Sequence, residues 1–216
     1  GMGDDAEMEA MTATGARTIK IIKPYAEVRR VYEQIEHAER CGALAVGMDI
    51  DHSFGKNGQP DHVMGYDMRP VTTEDLREYI RATRLPFVVK GVLSVRDALK
   101  CADAGARGIV VSHHHGITDY AIPPLRVLPA IAEALAGHMP IFVDCGIERG
   151  FDAFKAIALG ATAVSVGRAM IPDLAREGAE GVRKRIESMT GELAGAMART
   201  GSPDLSHIDP TILWKD

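Results

Sequence analysis

Residues 140–170 read PIFVDCGIERGFDAFKAIALGATAVSVGRAM, and this stretch decides the fold. Pro140-Ile141-Phe142-Val143 is a short apolar run of the kind buried on both faces of a parallel sheet, and it stops at Asp144-Cys145-Gly146. From Gly150 to Leu159 apolar residues recur at helical spacing (Phe151, Phe154, Ile157, Ala158), and Gly160 suits a left-handed cap. A second buried run, Ala163-Val164-Ser165-Val166, follows at once and ends in Gly167-Arg168. The order strand, helix, strand makes one βαβ unit with a polar device at each strand end. Glycine lets a ligand approach backbone N–H groups, and arginine offers a planar fork for phosphate. The unit reads as half of a phosphate clamp.

Working outward, the same theme repeats. A short helix over Asp4 to Thr12 precedes a strand at Thr18 to Lys23 and a helix from Ala26 to Arg40, and a strand at Ala43 to Met48 then ends in Asp49-Ile50-Asp51-His52. Residues 53–72 are polar, rich in Gly and Pro and without a period, so they read as a long loop or lid. Thr73 opens the next helix, Leu85 to Gly91 is a strand carrying Lys90 at its end, and Ser94 caps a helix through Ala102. Gly108 to Ser112 is a strand followed by His113-His114-His115-Gly116, then a helix from Pro124 to Ala136. After Arg168 a short helix near Leu174 leads to a C-terminal helix over 181–200, with Val182, Ile186, Met189, Leu193 and Met197 as its apolar stripe.

About six strands, each followed by a helix, predict an α/β fold with a parallel sheet and right-handed crossovers. Polar residues at every strand end favour a (β/α) TIM-type barrel over an open sheet, and no GxGxxG follows a strand. A closed barrel has eight strands, so this single domain over 1–216 either hides two strands in parts read as helix or loop or is an incomplete barrel lacking its first two units. The 216 residues are 46% hydrophobic, enough for one large core. A net charge of −5 argues against nucleic acid or an anionic membrane as partner, and no stretch approaches a membrane span. Three cysteines without CxxC spacing give neither a disulfide framework nor a zinc site, which fits a cytoplasmic setting. Gly1 ahead of Met2 reads as a cloning remnant.

From Pro86 to Leu213 the chain resembles the C-terminal part of the FMN-dependent α-hydroxy-acid oxidase and dehydrogenase family. The motifs that carry the resemblance run in order. They are Val89-Lys90-Gly91, Ser112 with His114, Pro123 with Val127-Leu128-Pro129, Asp144-Cys145-Gly146-Ile147, the helix Lys155 to Ala161, and Gly167-Arg168. The resemblance implies FMN as cofactor and a small 2-hydroxy acid as substrate. It makes His114 the proton-abstracting base, with Asp51 orienting it. Lys90 is implied at the flavin ring, Ser112, Asp144 and Gly146 along the cofactor, and Gly167 with Arg168 at its phosphate. The resemblance also implies a truncated barrel without the family's N-terminal strands; no metal is implied, and a barrel left open in this way predicts a homo-oligomer.

Departures from the family pattern are as informative. The arginine expected three residues after His114 is absent. Glu148 stands where a phosphate-binding arginine is expected, which makes Arg149 the candidate to reach the phosphate. A strand-end tyrosine is replaced by the stretch Lys23-Pro24-Tyr25. Two other readings follow: a non-catalytic barrel that keeps a phosphate site, and a barrel enzyme that holds a phosphorylated substrate directly.

Overall fold

A computed structural model of the chain describes residues 4–55 and 57–214, so the Gly1-Met2 start and Lys56 of the 53–72 segment lie outside it. Helix α1 (Asp5–Ala13) leads to strand β1 (Ile19–Ile22), helix α2 (Val28–Arg40) and strand β2 (Ala45–Asp49). A hairpin, β3 (His62–Val63) and β4 (Tyr66–Asp67), precedes α3 (Thr73–Arg81), β5 (Phe87–Val92) and α4 (Val95–Ala104). Then come β6 (Gly108–Val111), α5 (Pro124–Leu135), β7 (Ile141–Val143), α6 (Gly150–Ala158), β8 (Ala163–Val164) and α7 (Ile171–Thr200). Six strands form one parallel sheet in the order β1-β2-β5-β6-β7-β8, the wall of a partial TIM barrel with β1 and β8 as its terminal strands among the described residues.

Period-two alternation sorts the strand side chains onto two faces. Val46, Met48, Phe87, Val89, Ile109, Val111, Ile141 and Val143 join the helices in the main core. Their neighbours Ala45, Val88 and Val110, with Ile21 and Phe142, form a separate cluster on the inner face. Continuing that inner face toward the C-terminal strand ends brings Lys23, Asp49, Lys90, Ser112 and Asp144 into one polar layer. The sequence thus places chemistry by parity.

Local signals act as expected in most places. Ser94 Oγ accepts the Asp97 N–H at 3.1 Å and starts α4, while Thr72 and Asp75 make a reciprocal capping box ahead of α3, which begins at Thr73 as expected. The 53–72 segment is not the free loop expected from its composition. Its hairpin is pinned to the β1–α2 turn, with the Ala26 N–H donating to the Asp67 carbonyl at 2.8 Å and the Arg69 N–H to the Pro24 carbonyl at 2.9 Å. Arg30 lies 3.7 Å from the Tyr66 ring centroid, and Met68 beside it is buried. Two-residue strands are too short to show a period, which is why the composition hid them.

The C-terminal helix also differs from the stripe expected of it. Gly178 (φ 61°, ψ −144°) kinks α7 into a short and a long part, and of the five stripe residues only Met189 is fully buried; Ile186 is half exposed. The face that packs is set by α6: a Cβ on Gly150 would stand 2.1 Å from the Met189 carbonyl oxygen, so the two helices touch backbone to backbone there.

At the β8 end of the sheet no further strand follows among the described residues, and such an edge offers backbone donors and acceptors to another chain. The 216-residue chain is therefore expected to self-associate in light scattering at micromolar concentration. A monodisperse monomer with little binding of a hydrophobic dye would contradict this.

Candidate active site

Asp49, at the end of β2, is almost wholly buried and sits between two lysines. Lys23 Nζ donates to its Oδ2 at 2.7 Å, and Lys90 Nζ approaches its Oδ1 at 3.5 Å. Lys90 also reaches Asp144 Oδ2 at 3.4 Å and donates to Ser112 Oγ at 3.3 Å. Five strand ends are tied by this network. Its geometry depends on a bulge, because the β5–β6 register slips between Lys90 and Val92, with Gly91 at φ 99°. A Cβ on Gly91 would lie 2.6 Å from Asp51 Cγ, so only glycine lets Asp51 settle there.

His114 completes the cluster. Its Nδ1 lies 3.0 Å from Asp51 Oδ1 and 3.4 Å from Asp49 Oδ1, and its backbone N–H donates to Ser112 Oγ at 3.1 Å. Hydrogen bonds to Asp49 and Asp51 push the imidazole up to about 9, against the effect of burial. The two acids divide. Burial works to raise Asp49, yet hydrogen bonds from His114 and Asp51 and the charges of Lys90 and Lys23 hold it well below the usual carboxylate range. Burial and the neighbouring Asp49 push Asp51 up instead, and its buried Oδ2 has no other partner. Asp49 is thus the ionised acid and Asp51 the one that takes a proton first. Lys90 stays protonated: burial opposes its charge, but Asp49, Asp144 and Asp51 together raise it.

Donor atoms of Asp49, Asp51 and His114 fall within 4.8 Å of one another, a spacing that a cation can bridge. Here Lys23 and Lys90 already satisfy Asp49, which makes the cluster an ion-pair network. The other histidine of the pair 52/114 packs on it, with ring centroids 4.8 Å apart and planes at 60°.

Both loops at the site carry strained backbone. His114 (φ 49°), His115 (φ 58°) and Gly116 (φ 81°) are three consecutive left-handed residues, and Cys145 (φ 65°) with Gly146 (φ 77°) are two more. A non-glycine residue in that region costs roughly 1–2 kcal/mol, so the surroundings must hold it. The His115 N–H donates to Cys145 Sγ at 3.2 Å, and the Cys145 thiol donates to Asp144 Oδ1 at 2.9 Å, fastening one loop to the other. Burial and that bond to Asp144 raise the thiol, which keeps it protonated and unreactive.

A cavity of about 250 Å³ opens over this layer, lined by Lys90, His114, Asp144, Gly146, Gly167 and Arg168, with Glu148 also on its wall. Six of the nine residues expected at the site therefore share one space, with Asp51 and Ser112 behind it. Arg149 does not join them. Its guanidinium runs along Glu192 at 3.3 Å and lies 5.3 Å from the Phe151 ring centroid, out in solvent, so the expected reach toward a phosphate is not seen. Beside Asp51 a larger cavity of about 990 Å³ is bounded by Phe54, Val71 and Ile117 along with Asp61 and Asp119, and no described residue lining it is basic. Sequence reasoning missed Asp49 and His52. Strand parity pointed to Asp49, two residues before Asp51 on the same face; nothing local marked His52.

Residues 55–215 match the FMN-dependent dehydrogenase family, and the chain belongs to it. It is 43% identical over 133 residues to a peroxisomal (S)-2-hydroxyacid oxidase of Arabidopsis thaliana, covering 61% of this chain and 37% of that protein. It is 35% identical over 173 residues to glycolate oxidase 1 of Oryza sativa subsp. japonica, covering 79% and 47%. Among solved structures, a mandelate oxidase variant with the C4a-OH-FMN adduct aligns with a TM-score of 0.84 at 34% identity, covering 92% of this chain and 64% of that one. The chain spans less than half the length of these curated relatives. No helix of the described residues is long and apolar enough to cross a membrane.

Two outcomes follow from the site. Because the folded-state value of His114 lies above the ordinary 6.5, its contribution to stability is complete below about pH 6.5 and is lost as the pH rises through about 9. Chemical denaturation should therefore show wild type losing roughly 1–2 kcal/mol relative to His114→Asn across that interval, and parallel curves would contradict it. His115→Gly, which removes a left-handed side chain, should raise the unfolding free energy by about 0.5–1 kcal/mol in the same assay. A loss of stability would show that the ring contributes more than the strain.

Proposed function

We propose that the chain carries the catalytic half of an FMN-dependent oxidoreductase acting on a small 2-hydroxy acid. The observation that carries this reading is the meeting, in one cavity, of a carboxylate-held histidine, a protonated lysine and the Gly146, Gly167 and Arg168 positions. Family membership and the relatives' names as 2-hydroxyacid and glycolate oxidases support it.

The residues present fit FMN at its phosphate end. A Cβ on Gly146 or on Gly167 would meet nothing within 4 Å, so open space lies over both backbones, and Arg168 lines the same cavity. Glu148 works against the fit, since a carboxylate facing a phosphate is repulsive unless a cation intervenes. Arg168 and Gly167 would hold the phosphate, Asp144, Gly146 and Ser112 would line the cofactor, and Lys90 would supply positive charge at the ring. FMN, when bound, supplies the acceptor for the two electrons that leave the substrate.

His114 moves the proton. With Nδ1 held by Asp51, the ring presents Nε2, which has no hydrogen bond among the described residues, to the substrate. Asp49 and Asp51 then stabilise the imidazolium that forms. A base pushed up to about 9 is mostly protonated at pH 7, so only its neutral fraction can act until the pH rises. The free thiols of Cys41, Cys101 and Cys145 support a reducing, cytoplasmic setting, and the β8 edge, with no further strand beside it among the described residues, supports a homo-oligomer.

Binding and chemistry should separate on mutation. In a titration followed by flavin fluorescence, Arg168→Ala is expected to weaken FMN binding about tenfold or more, and His114→Ala less than about threefold. Equal losses would overturn these roles. Binding of a simple phosphate ester with no affinity for FMN would favour direct recognition of a phosphorylated substrate.

A further inference from the structure

His52 has no role in the reading above, yet it touches the residue at its centre. Its ring lies on that of His114, with centroids 4.8 Å apart. His52 follows Asp51 directly, so one residue holds a nitrogen of the His114 ring and the next packs against that ring at a 60° tilt. On its other side His52 Nδ1 stands 2.7 Å from Asp61 Oδ2. The carboxylate lies off the line of the ring nitrogen, and Nδ1 is buried without a hydrogen bond among the described residues.

Asp61 belongs to the segment that carries the hairpin. Its N–H donates to the Ser53 carbonyl at 3.0 Å, and its own carbonyl accepts from the Met68 N–H at 2.8 Å. Met68 is buried and bridges to Tyr25 beyond the end of β1. Contact therefore runs unbroken from the seated hairpin through Asp61 and His52 to His114.

We propose that His52 is a positioning residue for His114, holding its ring against Asp51 and tying that orientation to the seating of the 53–72 segment. Asp51 Oδ1 at 3.0 Å and Asp49 Oδ1 at 3.4 Å both meet the same nitrogen, Nδ1, so they leave the ring free to swing about that atom. The left-handed turn at 114–116 is closed by the Gly116 and Ile117 N–H groups donating to the His113 carbonyl, bonds that hold the backbone rather than the ring. The His52 ring, set against it with planes inclined at 60°, removes that freedom. The groups facing His114 are Asp49 and Asp51 from the β2 end and Lys90 from β5, with Lys23 behind Asp49. His52 is itself kept neutral by burial and by the charges of Lys23 and His114, so it packs on an imidazolium without repelling it.

The importance of this contact rests on His114 being the base, but the contact itself does not. The test uses flavin-free protein and reads the ring resonances of His114 by NMR, assigned by their loss in His114→Asn. Wild type is expected to titrate near 9. His52→Phe, which keeps a flat ring, should stay within about 0.3 unit of wild type, and His52→Ala should fall by about 1 unit or more toward the ordinary value. An alanine variant that titrates with wild type, or a phenylalanine variant that falls as far, overturns the proposal. Should His52→Ala fail to fold, Asp61→Ala takes its place, with a fall expected and an unchanged value decisive against it. Loss of the oxidoreductase reading would register separately, as absent flavin binding, and would leave these titrations intact.

Discussion

A carboxylate buried between two lysines is the contact on which the rest of this structure depends. Asp49 is out of water, and an isolated charge there would cost several kcal/mol. Lys23 and Lys90 make it tolerable, and through Lys90 the network extends to Asp144 and Ser112. The strands thus share one electrostatic layer above one apolar layer. Removing Asp49 takes from the buried Lys23 the carboxylate it is paired with, a loss that costs about 3–5 kcal/mol and would loosen neighbouring strand ends together.

That layer also sets the chemistry. With Asp49 fully engaged and ionised, the second acid, Asp51, is left to meet His114, and the repulsion between the two acids makes Asp51 the one that protonates first. Bulge and glycine serve the same end, because Gly91 clears the space that Asp51 fills. The strained turns at His114–Gly116 and Cys145–Gly146 are tolerated at the mouth of this layer, where rigid strands and a cross-loop bond from His115 to Cys145 hold them.

Much of this was legible in the chain. Apolar runs ending in polar residues located the strands, and the family resemblance located Lys90, His114, Asp144 and Arg168, which the fold brings to one cavity. What stayed hidden depended on partners distant in sequence. Asp49 and Asp51 share a strand face, and only the placement of Lys23 and Lys90 decides which becomes the ion-paired acid. Arg149 looked available for phosphate because its captor, Glu192, lies on α7, far along the chain. Residues 62–67 fold as a hairpin too short for any period to reveal, and it is fixed by bonds to the β1–α2 turn.

The most direct measurement is the visible spectrum of the protein loaded with FMN, freed of excess and exposed anaerobically to a series of 2-hydroxy acids. The account predicts a retained flavin band that bleaches with at least one of them, and faster above pH 8 than at pH 6, since His114 must be neutral to act. A chain that retains no flavin, or a retained band that no 2-hydroxy acid bleaches at any pH, would contradict it.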